Sequence, residues 1–207
     1  MGRHREFDLD TALDAAMAAF WRKGYEGTTY VDLTAATGVE RPALYAAFGN
    51  KETLFLRALE RYDAHYWSYI SEALELPTSR DVAAHVLYGS IELNTRYPDR
   101  TGCLGINGGI AVSDDAEPVR QALIDARASG EMRLRERFEF AKQEGDLPET
   151  AEPAELATYL MAVVHGIAIQ AKAGFRREAL QGVARQALAT WPSRAAHAPT
   201  RPSTPLA

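Results

Sequence analysis

In residues 28–55, apolar positions recur in two short bursts at helical spacing, parted by a glycine and punctuated at each end. Thr29 with Asp32 is the pattern of a capping box: the hydroxyl takes a backbone N–H, and the acid reaches back to the residue before the helix. Val31, Leu33 and Ala36 then mark a short helix. Gly38 supplies the left-handed backbone on which helices often end. Pro42 fits the first turn of the next helix, where its missing N–H costs nothing. Ala43 to Phe48 carry that helix, Gly49 closes it, and Asn50 caps another. Leu33, Val39, Leu44 and Phe48 are the apolar positions that would fix the angle between the two. Helix, tight glycine turn, helix predicts a helix-turn-helix, in which the second helix enters a DNA major groove.

The remaining pattern is helical throughout. Asp8 caps a first helix on which Leu9, Leu13, Ala16, Phe20 and Trp21 face a core, and Gly24 stops it. A long helix is expected over residues 50–75, its stripe being Phe55, Leu59, Tyr62, Tyr66 and Ile70. Tyr62, Tyr66, Trp67 and Tyr69 form an aromatic cluster, fit either for packing or for lining a cavity. Leu76-Pro77 breaks the chain, residues 78–81 read as a cap, and Val82, His85, Val86, Gly89, Leu93 and Tyr97 mark a further helix up to Pro98. Glycines 102, 105, 108 and 109 then lie among Cys103, Leu104, Ile106, Ile110 and Val112. A phosphate loop does not fit, because neither a Gly-Lys-Ser ending nor the dinucleotide spacing is present. A short, glycine-permissive helix does, since glycine lets a neighbour approach closely.

Asp114 or Asp115 starts the next helix, with Pro118 in its first turn, Val119, Leu123, Leu134, Phe138 and Ala141 on its apolar side, and Gly130 as a place for a bend. Two helices follow, over residues 154–173 and 178–191. Ala162, Gly166 and Ala187 on them permit close helix approach, as in a bundle shared by two subunits, or they cover the chain's own core. Residues 192–207 contain four prolines and little to bury, so a disordered tail is expected. The fold class is therefore all-α: a three-helix helix-turn-helix domain (1–52) joined by a long helix to a helical domain for ligand binding and dimerisation (53–191), then the tail (192–207).

The stretch GYEGTTYVDLTAATGVERPALYAAFGNKETLFLRAL closely resembles the N-terminal domain of the TetR family of bacterial transcriptional regulators. The match covers residues 7–59 and is most specific in LYAAFGNKETLF, residues 44–55. The resemblance implies that Thr28, Thr29, Arg41, Pro42, Ala43, Tyr45 and Lys51 stand where the family commonly faces DNA. Tyr45 would bond a phosphate through its hydroxyl. Lys51, at a helix N-terminus, would join free N–H groups aimed at another. Arg41 is placed to read a guanine with its two-pronged guanidinium, or to hold a phosphate only, and Ala43 to touch a thymine methyl. Glu40 departs from the pattern, holding a cap position where the family often has Ser or Thr. The resemblance also places the glycine-rich segment where the family passes a ligand signal to the long helix, and the last two helices at its dimer interface.

Charge complicates this picture. DNA affinity comes largely from Lys and Arg at phosphates. Yet the formal net charge is −5, and residues 1–52 carry six Lys or Arg against eight Asp or Glu. Position has to do the work: Arg41 at the reading helix, Lys51 just past it, with Asp10, Asp14 and Asp32 on other faces. Arg3 and Arg5 fit either a minor-groove arm or a solvated terminus. The single Cys gives no disulfide framework and suits a reducing, cytoplasmic setting. No secretory leader is read at residues 1–10, and no stretch is expected to span a membrane.

Catalysis finds no constellation. The five histidines (4, 65, 85, 165 and 197) lack metal-ligand spacing, and Ser90 lies in YGSIE, without a nucleophile elbow. No metal or cofactor is expected. The expected function is a ligand-responsive, homodimeric repressor of double-stranded operator DNA, released by a small molecule. Tyr66, His85, Tyr88, Cys103, Asn107, Phe138 and His165, polar-tipped or aromatic residues on apolar stripes, are the candidate pocket. Cys103 reads first as a small core residue in an apolar run, with a thiol sensor as the alternative. The competing class is a helical dimer that recognises a partner protein and no longer binds DNA.

Overall fold

The computed structural model describes residues 7–108, 113 and 116–193, which form helices and no strand among them. Arg3, Arg5 and most of the tail lie outside the described residues. The helices are α1 (Leu9–Gly27), α2 (Tyr30–Thr37), α3 (Arg41–Phe48), α4 (Lys51–Tyr66), α5 (Ser68–Leu74), α6 (Ser79–Thr95), α7 (Leu104–Asn107), α8 (Glu117–Gln143), α9 (Pro153–Lys172) and α10 (Arg177–Ala189).

The punctuation acts as the sequence reads. Asp8 accepts from the Thr11 N–H at 2.7 Å, and Asn50 accepts from the Thr53 N–H at 2.8 Å. The Thr29–Asp32 capping box is complete in both directions, and Gly38 ends α2 at φ +67°. Gly24 interrupts the helical path at φ +74°, ψ 174°, as expected, and a short helical turn resumes beyond this kink as far as Gly27. A side chain at Gly24 would also lie 2.7 Å from the Asn107 carbonyl oxygen, so only glycine lets α7 rest on this turn.

The expected 50–75 helix is two helices. It breaks at Trp67, whose backbone (φ −101°, ψ 9°) leaves the helical path. The reason lies in what each half packs on. Up to Tyr66 the helix leans on α1, with Phe55 and Tyr62 fully buried against Phe20 and Trp21. Beyond it α1 has ended, and α5 turns to bury Ile70 and Ala73 beside α6 and α8.

Buried apolar residues fall into two clusters. The first joins α1–α4 to Leu93, Leu104, Ile106, Val119, Leu123 and Ala168, so the core of the helix-turn-helix runs on into α7 and α8. The second collects Val86, Leu87, Leu134, Phe138, Leu160, Leu180 and Trp191. One expectation fails on α9: by length and composition this helix is apolar enough to cross a membrane. Its acidic and basic residues other than His165 are confined to its ends, yet only 39% of its most apolar window is buried in the chain. Tyr159 and Ile169 on α9, with Val183 on α10, are exposed.

Candidate nucleic-acid interface and internal crevice

At the outer face of α2 and α3, three side chains hold one another. Tyr30 and Tyr45 stack at 5.2 Å. The Arg41 guanidinium lies 4.0 Å over the Tyr30 ring and donates to the Tyr45 hydroxyl at 3.1 Å. Hydrogen bonds from Tyr30 and Arg41 hold the Tyr45 phenol below its ordinary pKa, which makes it a better donor to an incoming phosphate. Pro42 is exposed and Ala43 half-buried on the same helix. Glu40 is exposed and makes no side-chain cap, so α3 starts on its backbone alone.

Tyr30 is the residue that the sequence reading missed. Its hydroxyl accepts from the Lys51 N–H at 3.1 Å, tying α2 to the start of α4. The Lys51 amide is therefore occupied, contrary to the expectation of a free one. The Lys51 ammonium sits 4.4 Å over the Tyr25 ring. Thr28 is a second correction. It is 0% exposed and donates to the Gly24 carbonyl at 2.6 Å, closing the kink in α1 rather than facing DNA. Thr29 is exposed at the N-terminus of α2.

Local pairing answers the charge problem. Arg61 on α4 grips Asp14 with two nitrogens and Asp10 with a third. Lys23 pairs with Asp32 at 2.6 Å. Asp10, Asp14 and Asp32 are thus paired within the fold, Glu40 stays exposed beside the reading helix, and the Arg41 charge faces solvent without an ion pair among the described residues.

Behind this unit, at the seam between the two apolar clusters, lies a crevice lined from α4, α5, α6, α7, α8 and α9. Space outside atoms amounts to about 500 Å³, mouth included, but water centres can visit only about 20 Å³ of it. It is a set of narrow slots rather than an open chamber. Of the expected pocket residues, Cys103 and His165 line it. The others are placed elsewhere, each for a packing reason. Phe138 is fully buried against Trp191. Tyr66 stacks on Tyr62 and meets the edge of Trp21. Asn107 donates to the Trp21 and Thr101 carbonyls. His85 and Tyr88 line an open surface groove beside α10, with His85 3.6 Å from Glu72.

Of the aromatic cluster, Trp67 and Tyr69 line the crevice, and the lining residues that the sequence reading missed include Asp63, Asn94 and Arg127. Asp63 Oδ1, Trp67 Nε1 and Asn94 Oδ1 are buried without a hydrogen-bond partner among the described residues. Burial pushes the Asp63 carboxyl from 3.8 up to about 6. Burial, and then Arg127, lower the pKa of His165, so at neutral pH it is uncharged. Among the described residues no three His, Cys, Asp or Glu side chains could hold a metal ion together.

Asp63 gives a stability test with a definite sign. Between pH 4 and 6 the unfolded chain ionises this acid while the folded chain keeps its proton, so stability falls with rising pH across that window and levels off above it. Asp63→Asn removes the loss. The variant should gain about 1–2 kcal/mol at pH 7.5, a figure discounted for the carboxyl's partial exposure, and nothing at pH 4. Urea unfolding at the two pH values measures this.

Two family descriptions match the chain. "Bacterial regulatory proteins, tetR family" covers residues 12–58, and "Tetracyclin repressor-like, C-terminal domain" covers residues 85–188. The transcriptional repressor ComR of Escherichia coli is 33% identical over 193 residues, 92% of each chain. The repressor AcnR of Corynebacterium glutamicum is 29% identical over 172 residues, 83% of this chain and 85% of its own. Among solved structures, the TetR family regulator CifR, a cysteine mutant complexed with 26-base-pair double-strand operator DNA, superposes with a TM-score of 0.86 at 38% identity, covering 92% of this chain and all of its own. The α2–α3 unit, the helical half behind it and these relatives lead to one assignment: the chain belongs to the TetR family of bacterial regulatory proteins and is a helix-turn-helix transcriptional regulator.

Proposed function

We propose that the protein is a homodimeric repressor in the bacterial cytoplasm, without enzymatic activity, whose two α3 helices read successive major grooves of an operator and which a small molecule in the seam crevice releases. Residues 1–52 act as the reading head, and residues 53–191 bind the effector and the second subunit. The observation that carries this reading is the shared core. The helix-turn-helix has no sealed core of its own, because Phe20, Trp21, Phe55 and Tyr62 pack in one cluster with Leu104, Ile106 and Leu123. The crevice opens on that same cluster at Leu59, Cys103, Ile106 and Leu123. A molecule that wedges the slots apart must move α4 or α7, and with them the reading head. Binding then favours the conformer whose heads are misplaced for adjacent grooves, about 34 Å apart.

Selection of bound duplexes from random DNA, followed by affinity against salt, tests the reading. A linear fall of log affinity with log salt is expected, and Lys51→Ala should make it shallower. Salt-insensitive binding, or none at low salt, would instead favour a protein-binding module.

Dimerisation is the second requirement. The exposed apolar residues of α9 and α10 (Tyr159, Ile169, Val183) lie on helices that also carry the small residues Ala162 and Gly166. A Cβ added to Gly166 would meet nothing within 4 Å among the described residues. Ile169→Asp should give monomers in sedimentation, with operator affinity lower by about a hundredfold or more, because the second half-site is no longer tethered.

A further inference from the structure

Resting on the crevice as the effector site, we infer that the effector is a small organic amine with an apolar body, its protonated nitrogen received by the Asp63 carboxylate and the Asn94 carbonyl and an oxygen acceptor a few bonds away by the Trp67 indole. Three unpartnered polar atoms stand on residues that line one crevice: two acceptors, Asp63 Oδ1 and Asn94 Oδ1, and one donor, Trp67 Nε1. Asn94 is only 2% exposed, and its amide nitrogen is already spent on the Ser90 carbonyl and hydroxyl. Buried polar atoms in folded proteins nearly always have partners, and leaving one unmet is costly. Three at one site call for a ligand of complementary pattern. An ammonium offers three donors and no acceptor, which suits two orphaned acceptors, one of them a carboxylate.

The surroundings favour a cation at this end. Asp63 makes no ion pair among the described residues, and Trp67 and Tyr69 belong to the same lining, so aromatic faces are at hand for a cation. Arg127 and His165 also line the crevice, and Arg127 acts on His165, while burial alone shifts the Asp63 carboxyl. The apolar walls, among them Leu59, Ile70, Leu93 and Val164, take the body of the molecule.

Trp67 also marks the way in. It sits at the break between α4 and α5 and lines both the inner crevice and an outer, open groove, as do Asp63 and Ala126. Its ring lies against Gly130 of α8, where a side chain would come within 3.3 Å. An amine large enough to fill the slots displaces this ring and so acts on the end of α4.

The test uses the full-length dimer and three molecules that share one phenyl ether: 2-phenoxyethylamine, 2-phenoxyethanol and phenoxyacetate. Calorimetry at pH 7.5 should show the amine binding about tenfold or more tighter than the alcohol, the worth of one charge-assisted hydrogen bond, with the acid weakest. Asp63→Asn should erase the amine's advantage. Tighter binding of the acid or the alcohol, an unchanged amine affinity in Asp63→Asn, or no binding by any of the three overturns the amine. Ala126→Trp, which fills the crevice from a half-buried position and whose folding circular dichroism checks, decides the underlying reading separately. Loss of whichever molecule binds leaves the crevice as the site even if the amine assignment falls. Binding that persists removes the crevice itself.

Discussion

Arg41→Ala should cost about 2–6 kcal/mol of operator affinity per dimer, roughly thirty- to twenty-thousandfold, because each half-site loses one forked base contact of about 1–3 kcal/mol. The side chain is exposed on the first turn of α3 and is already oriented before DNA arrives. Its guanidinium lies over Tyr30 and is bonded to Tyr45, so little rotamer freedom is left to lose on binding. Arg41→Lys separates base reading from phosphate holding. Lysine keeps the charge and cannot fork. If Arg41 reads guanine, the lysine variant retains non-specific affinity and the salt slope while preference at one operator position disappears. If Arg41 only holds a phosphate, Arg41→Ala weakens every duplex alike and reduces the salt slope by about one per site. Competition of operator against scrambled duplex at several salt concentrations tells the two apart.

The same three residues show how far the sequence could be read. Arg41 and Tyr45 follow from their place on α3, four residues apart on one helical face. Tyr30 belongs to a different helix, and only the packing angle set by Leu33, Val39 and Leu44 brings its ring under the guanidinium. Caps and turns were legible because they are local: Asp8, Thr29, Asp32, Gly38 and Asn50 each act within four residues. The break at Trp67 was not, because nothing near residue 67 forbids a helix. What ends it is distant, namely that α1 stops at Gly27 and leaves the second half of the stripe to find α6 and α8.

The crevice shows the same divide. Leu59, Asp63, Trp67 and Ile70 recur at helical spacing and all line it. A lone acid on an otherwise apolar stripe was the available signal for a site. Weight on aromatic and histidine residues instead picked Phe138, Tyr66, His85 and Tyr88, which pack in the core or line the surface groove. Asn94 was hidden because a sequence cannot reveal which of its amide atoms Ser90 satisfies and which is left over.

Trp21 is where the two halves of the molecule are held together, and its loss should have the largest effect on stability. The side chain is 0% exposed and meets Tyr62, Tyr66 and Tyr97 edge-on at 4.8, 5.1 and 5.7 Å. Its indole N–H donates to the Gly102 carbonyl, and its own carbonyl accepts from Asn107. One residue of α1 thus ties the reading head to α4, to the end of α6 and to the α7 segment. Trp21→Ala should cost about 3–5 kcal/mol, a large share of the 5–15 kcal/mol typical of a folded domain. Trp21→Phe keeps a ring in place but leaves the Gly102 carbonyl without its partner, for about 1–3 kcal/mol. The shape of unfolding says more than the midpoint. With Trp21 gone, Trp67 and Trp191 report only on the region behind the head, while far-ultraviolet dichroism reports on every helix. If Trp21 is the strut, Trp21→Ala unfolds with the dichroism change preceding the fluorescence change in urea, because the head comes loose first. Coincident transitions, with a shift of less than about 1 kcal/mol, would mean that the halves are held by the wider cluster and that a signal from the crevice reaches α3 by another route.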